Sequence, residues 1–176
     1  MVLTLIEYDD DGLDDVSTQA LTLARDIADG AGESVDAIAF GADAEAVAEA
    51  AGAHGVETLH VVDALDDYAP EAYGRAVMQC AEELGAEAVV APGTDRGAET
   101  LAHTAAKLDV TMAAEVTDVT VGDTYELTRQ RWAARSPSTP NSTPRSTSSP
   151  SPRTSSRPRR RAAIPRRWRR SRRTWT

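Results

Sequence analysis

The residues best placed to do chemistry lie in the loop Pro92-Gly93-Thr94-Asp95-Arg96-Gly97, which runs directly into a helical pattern. Two glycines, a hydroxyl and a guanidinium at a helix start are the parts of an anion cradle, because free N–H groups and the helix dipole favour negative charge there. Gly93, Thr94, Arg96 and Gly97 are therefore the candidate contacts for a nucleotide phosphate. A plainer reading gives the same residues a tight turn, with Arg96 paired to Asp95 or Glu99. The first loop of the chain argues against a dinucleotide site. Where such a site needs G-x-G-x-x-G, this chain reads Asp9-Asp10-Asp11-Gly12-Leu13-Asp14-Asp15, whose carboxylates would repel a pyrophosphate.

Elsewhere the reactive side chains do not gather. His54, His60 and His103 are scattered without metal-ligand spacing and read as surface or partly packed histidines. Cys80 is the single cysteine, so no intrachain disulfide can form, and its place on the inner stripe of a helix makes it a core residue rather than a nucleophile. No acid–base pair or nucleophile constellation emerges. By its own residues the chain is not catalytic.

The elements that must position the loop alternate between β-branched runs and alanine-rich helical patterns. Strands are expected at residues 2–8, 35–40, 58–62 and 88–91. A first helix starts near Ser17, its expected N-cap, with Ala20, Leu23, Ala24, Ile27 and Ala31 recurring at helical spacing and Gly30 and Gly32 supplying the stop. A second is capped by Asp43, with Ala44, Val47, Ala48 and Ala51 on its apolar face. A third carries Tyr73, Val77, Cys80, Ala81 and Leu84 inward and stops at Gly85. A fourth runs from about Ala98 to Leu108, with Leu101, Ala105 and Leu108 inward. Four strand–helix repeats imply right-handed crossovers and a mostly parallel sheet covered on both faces: a three-layer α/β fold. Residues 112–121 and 125–131 read as extended segments joined by Gly122-Asp123, a hairpin placed at the sheet edge.

Charge divides the chain into two parts. Residues 1–128 hold all 28 acidic side chains and only Arg25, Arg75, Arg96 and Lys107 as bases, a net charge of −24. Self-repulsion at such a charge weakens a compact state in dilute buffer, whereas at molar salt the Debye length falls to about 3 Å. The composition predicts a salt-rich, halophilic setting, and it argues against nucleic-acid binding by this segment. The N-terminus has no basic region ahead of its short apolar run, and no apolar stretch is long enough to span a bilayer, so the expected location is cytoplasmic without membrane insertion.

From Arg135 the chain becomes arginine, serine, proline and threonine, with Ile164 as its only aliphatic residue larger than alanine. Such a segment buries too little apolar surface to offset its ordering entropy and is expected to be disordered. The expected domains are 1–132, an α/β domain, and 133–176, a disordered basic tail.

Two stretches match a known family. The opening VLTLIEYDDDGLDDVSTQALTLARDIADG resembles the start of electron-transfer flavoprotein alpha subunits, through Val16, Ser17, Ala20, Leu21, Ala24 and Arg25. The stretch APGTDRGAETLAHTAAKLDVTMAAEVTDV is similar to the same family's Gly-Thr-x-x-Gly loop, helix and Thr-Asp-Val strand, through Gly93, Thr94, Gly97, Leu101, Ala105, Ala106, Leu108, Thr117 and Asp118. Glu99 and His103 stand where an arginine and a proline are usual. The resemblance implies the N-terminal domain of an alpha subunit, with a Rossmann-like sheet of the adenine nucleotide alpha hydrolase kind. It implies a heterodimer with a beta subunit that carries AMP. It also implies an electron carrier rather than an enzyme, passing electrons from dehydrogenases such as acyl-CoA dehydrogenases through FAD to a quinone reductase. The FAD-gripping residues of the family belong to a second domain, so this chain is not expected to hold FAD and is expected to be inactive alone. If the loop 93–97 corresponds to the AMP loop of the beta subunit, it is a vestige.

The family pattern would continue after YELTRQRW with a glycine-rich stretch and the flavin domain. Reading a GC-rich, acid-rich coding segment one base out of frame turns aspartate and glutamate codons into arginine, threonine and serine codons, and removes every acid at once. A frameshift near residues 132–135 is therefore expected, which makes the chain a fragment. The alternatives are a basic arm that binds nucleic acid or the acidic body, and a stand-alone nucleotide-binding or regulatory α/β module.

Overall fold

A computed structural model describes residues 1–65, 67–122 and 124–129. The expected tail therefore lies outside the described residues. The first strand, β1 (Val2–Leu5), is buried at every position. It ends before Tyr8, and the acidic turn after it forms a miniature antiparallel hairpin, β2 (Tyr8–Asp9) with β3 (Gly12–Leu13).

Helix α1 (Asp15–Ala31) begins ahead of Ser17, with Asp14 at its N-cap position. Ser17 is buried instead, and its hydroxyl accepts from the Glu7 amide at 2.7 Å and donates to the Glu7 carbonyl at 2.9 Å. Glu7 has just left the sheet ladder, and a buried backbone must find its hydrogen bonds somewhere. The helix stops at Gly32, whose φ of 69° is left-handed. Gly30 lies within the helix and serves packing rather than termination: a Cβ there would come within 2.8 Å of the Val121 side chain.

Strands β4 (Val35–Phe40) and β5 (Thr58–Val62) have the expected bounds. Between them, a 3-10 turn at Ala44–Val47 leads into α2 (Ala48–Ala53). Asp43 precedes the turn but makes no side-chain cap, and Ala48 is exposed, so the expected single capped helix is two shorter pieces. Helix α3 (Pro70–Leu84) starts on proline, which lacks the amide that a first turn leaves unpaired, and ends on Gly85. Strand β6 (Ala88–Val90) leads to α4 (Asp95–Leu108).

The four parallel strands run in the order β5-β4-β1-β6, with Val2 opposite both Val35 and Ala88. On one face α1 supplies Ala20, Leu21, Ala24, Ile27 and Ala28 to a core shared with Ala44, Val47 and Ala51. On the other, Val77 and Ala81 of α3 pack on Leu3, Leu5 and Ile38. Helix α4 lies against α3, and its buried residues are Gly97, Thr100, Thr104 and Ala105. Leu101 and Leu108 are only half-buried. The reason lies on α3: Gly74 admits α4 so closely that a Cβ there would sit 2.5 Å from the His103 Cβ.

The last described elements, β7 (Val116–Val121) and β8 (Tyr125–Arg129), form an antiparallel pair of their own. They do not extend the parallel sheet. Val119, Val121, Tyr125 and Leu127 pack instead on the core of the α1 face, with Val121 seated against Gly30.

Candidate functional site

Strand order reverses between β1 and β6, and in open α/β sheets ligands collect beyond the carboxyl ends of strands at such a reversal. Here that crevice is bridged by the chain itself. Thr94 is the N-cap of α4: its hydroxyl accepts from the Gly97 amide at 2.8 Å and donates to Glu7 Oε1 at 2.8 Å. Asp95 adds a second carboxylate in the first turn. The helix therefore starts three residues earlier than Ala98, and the hydroxyl and one amide that would hold a phosphate are already engaged.

The four candidate residues separate accordingly. Gly97 is buried, and a Cβ there would collide with the Pro92 carbonyl oxygen, so glycine is needed for the close turn. Gly93 is exposed and a Cβ there would meet nothing within 4 Å. Arg96 pairs with neither Asp95 nor Glu99. Its guanidinium lies over the Tyr68 ring, 4.7 Å from the centroid, a cation–π contact. The Tyr68 hydroxyl reaches back to the Arg96 carbonyl at 3.2 Å and to Glu99 Oε2 at 3.1 Å.

Beside the bridged crevice lies an open cleft of about 650 Å³ between the loops that follow β1 and β4. Of the four candidates only Arg96 lines it. Its aromatic wall is Tyr8, Phe40 and Tyr73, with Phe40 and Tyr73 stacked at 3.8 Å and Tyr68 edge-on to Tyr73 at 5.1 Å. Tyr8 is held by a 3.0 Å hydrogen bond to the Phe40 carbonyl, and burial first, then the Asp43 charge, raises its phenol above the usual tyrosine range. Around the rim stand Glu7, Asp9, Asp10, Asp11 and Asp43. A volume of this size suits a mononucleotide, but the charge does not: one guanidinium faces five carboxylates. The residues present do not fit a nucleotide pyrophosphate.

The other reactive side chains lie apart from the cleft. His60 Nε2 is 2.9 Å from Asp36 Oδ2, which accounts for a charge-bearing side chain in the central strand β4. Cys80 packs beside the α3-face core, and desolvation first, then Glu83 and Asp36, pushes its thiol up to about 11. Among the described residues no three His, Cys, Asp or Glu side chains converge on a metal position. Two residues were missed by sequence reasoning: Glu7 as the acceptor for Thr94, and Tyr68 as the seat of Arg96. The one available signal was Glu7 itself, a charge at the end of an otherwise apolar strand.

A family model described as electron transfer flavoprotein domain matches residues 2–143. The chain belongs to the electron transfer flavoprotein family. The match runs past Trp132, where the domain was expected to end, and takes in the strands, the cleft and the hairpin of this flavoprotein domain. Members of the family are electron carriers rather than enzymes. No match was found among curated proteins. No helix of the described residues is long and apolar enough to cross a membrane.

Proposed function

We propose that this electron-transfer flavoprotein chain is the N-terminal domain of an alpha subunit, a partner-binding module that does not itself hold a cofactor. The observation that carries the reading is the bridge from the Gly97 amide through Thr94 to Glu7. Of the two subunits, the beta subunit is the one expected to carry AMP on its loop. A loop already closed on the chain's own carboxylate fits the subunit that carries none. In this reading FAD belongs to a second domain of the alpha subunit. Electrons from dehydrogenases such as acyl-CoA dehydrogenases reach a quinone reductase only in the assembled heterodimer. Gly93, Thr94, Arg96 and Gly97 then shape the start of α4 rather than grip a nucleotide.

Co-expression with a beta subunit of the same family, followed by purification at molar salt, tests this. A colourless one-to-one complex, with AMP recovered from the beta subunit alone, is the expected result. If the chain elutes by itself and retains AMP or ATP, it is a stand-alone nucleotide-binding module and the alpha-subunit reading fails.

A further inference from the structure

Where the acids sit on the helices matters as much as their number. A helix is electropositive at its N-terminus and electronegative at its C-terminus, so a carboxylate gains at the first and costs at the second. Asp15, Glu71 and Asp95 occupy the first turns of α1, α3 and α4, where they gain. The opposite ends are filled against the dipole. The last turns of α1 and α3 contain no base; Asp29 stands in the first, and Glu82 and Glu83 in the second, all exposed.

The cations that form ion pairs among the described residues take other partners, including the N-terminal ammonium, which pairs with Glu33 just past the end of α1. Arg75 and Lys107 both reach Glu71, at 3.5 and 3.2 Å. Arg96 lies on Tyr68, and the stem of Arg25, four residues before Asp29, runs beside Gly55 without forming an ion pair among the described residues. None of the ion pairs among the described residues involves Asp29, Glu82 or Glu83. Their cost has no ion-pair partner among the described residues to offset it, and it adds to the general repulsion of residues 1–128 at −24.

We propose that the fold is gated by salt, with the uncompensated carboxylates at the C-terminal ends of α1 and α3 as the gate, relieved by ionic screening rather than by bound cations. Helix-end interactions of exposed charges are screened away as ionic strength rises. Screening needs no coordination site, in keeping with the absence of any convergent group of three ligands among the described residues.

The test compares the full chain with its D29N/E82Q/E83Q variant, both carrying the arginine-rich residues beyond 128, by thermal melts from 0.1 to 3 M KCl. The variant is expected to melt about 5 °C higher at 0.1 M and within about 1 °C of the parent at 3 M. D15N, which removes an acid from a helix N-terminus, is expected to melt lower at 0.1 M, showing that position and not net charge decides. Tetramethylammonium chloride is expected to act like KCl at equal ionic strength up to about 0.5 M. A low-salt melting point that is unchanged or lowered in the triple variant would mean these acids are already neutralised, and would overturn the proposal. So would an effect confined to potassium, which would replace screening with a cation site.

Discussion

The two faces of the parallel sheet differ in what lies beyond their apolar layers. On the α1 face, Leu21, Ala24, Ala37, Ala39 and Ala51 are wholly buried, and the hairpin adds Tyr125 and its neighbours. On the α3 face the apolar cluster is smaller, and beyond it α4 joins through Thr100, Thr104 and Gly74. There the Thr104 hydroxyl donates to the Thr100 carbonyl at 2.9 Å, with the Gly74 carbonyl at 3.3 Å. Both faces of the sheet are held by apolar area, and only the α3–α4 contact beyond the second depends on close backbone approach. The apolar layers lose stability when volume is removed, whereas the α3–α4 contact loses it when volume is added.

The sharpest way to break this contrast is to remove volume from the first face. Leu21 is fully buried, so Leu21→Ala should cost about 3 kcal/mol, from lost transfer energy and the cavity left behind. Urea denaturation monitored by circular dichroism would measure it. A loss below about 1 kcal/mol would mean that this face collapses around cavities and is not the principal core.

Adding volume should harm the α3–α4 contact by a comparable but smaller amount. Exchanging a helical glycine for alanine ordinarily gains about 1 kcal/mol. At Gly74, however, the new Cβ would lie 2.5 Å from the His103 Cβ and 3.1 Å from the Thr100 carbonyl oxygen. Overpacking of that kind costs about 1–3 kcal/mol, so Gly74→Ala should be a net loss of about 1 kcal/mol. Gly52 in α2 is the control: a Cβ there meets nothing within 4 Å, and Gly52→Ala should stabilise by about 0.5–1 kcal/mol. Equal effects at the two glycines would remove the case for close helix approach.

The same contrast decides what could be read from the chain alone. The alternation of strands and helices, the bounds of β4 and β5, and most inner residues of α1 and α3 follow from apolar periodicity, although on α1 Leu21 takes the fully buried place expected of the half-buried Leu23, and on α3 Cys80 and Leu84 are half-buried. Helix α4 does so only at Ala105: the rest of its inner face is threonine and glycine, which a hydrophobic pattern scores as outward, and the expected Leu101 and Leu108 are half-buried. At the site, the Gly93–Gly97 loop was visible as a helix entry, but Thr94's bond to Glu7 spans 87 residues of chain and has no local signature. The hairpin was legible as a pair of strands. Its position was not, since that depends on Gly30 of α1 meeting Val121.

Cys80 probes the boundary between the α3-face core and solvent through pH. Its folded thiol is raised to about 11 from a reference of 9.0, chiefly by burial. A raised pKa means that the folded state keeps a proton the unfolded chain releases. The stability so contributed is complete below pH 9.0 and is lost as pH rises towards about 11. Cys80→Ser should remove that alkaline decline, read as the slope of the urea midpoint between pH 8 and 10.5. Rapid modification of the thiol in the folded protein at pH 8 would place it in water and refute the burial.

The smallest effect belongs to the surface where α3 and α4 exchange charge. Arg75 and Lys107 share Glu71, whose carboxyl is held below its usual range first by the Lys107 hydrogen bond and charge, then by Arg75. Arg75 is on the same helix, four residues along, and both partners are mostly exposed, whereas Lys107 comes from α4 and is more enclosed. An exposed pair four residues apart is worth about 0.3–0.5 kcal/mol and is screened by salt. Arg75→Ala should therefore shift the urea midpoint only slightly at 0.1 M salt and not measurably at 3 M. Lys107→Ala should cost slightly more, because its carbon stem also covers the helix contact. If Arg75→Ala proved the costlier of the two, charge within α3 rather than contact between helices would hold this face, and the division between the two sides of the sheet would have to be redrawn.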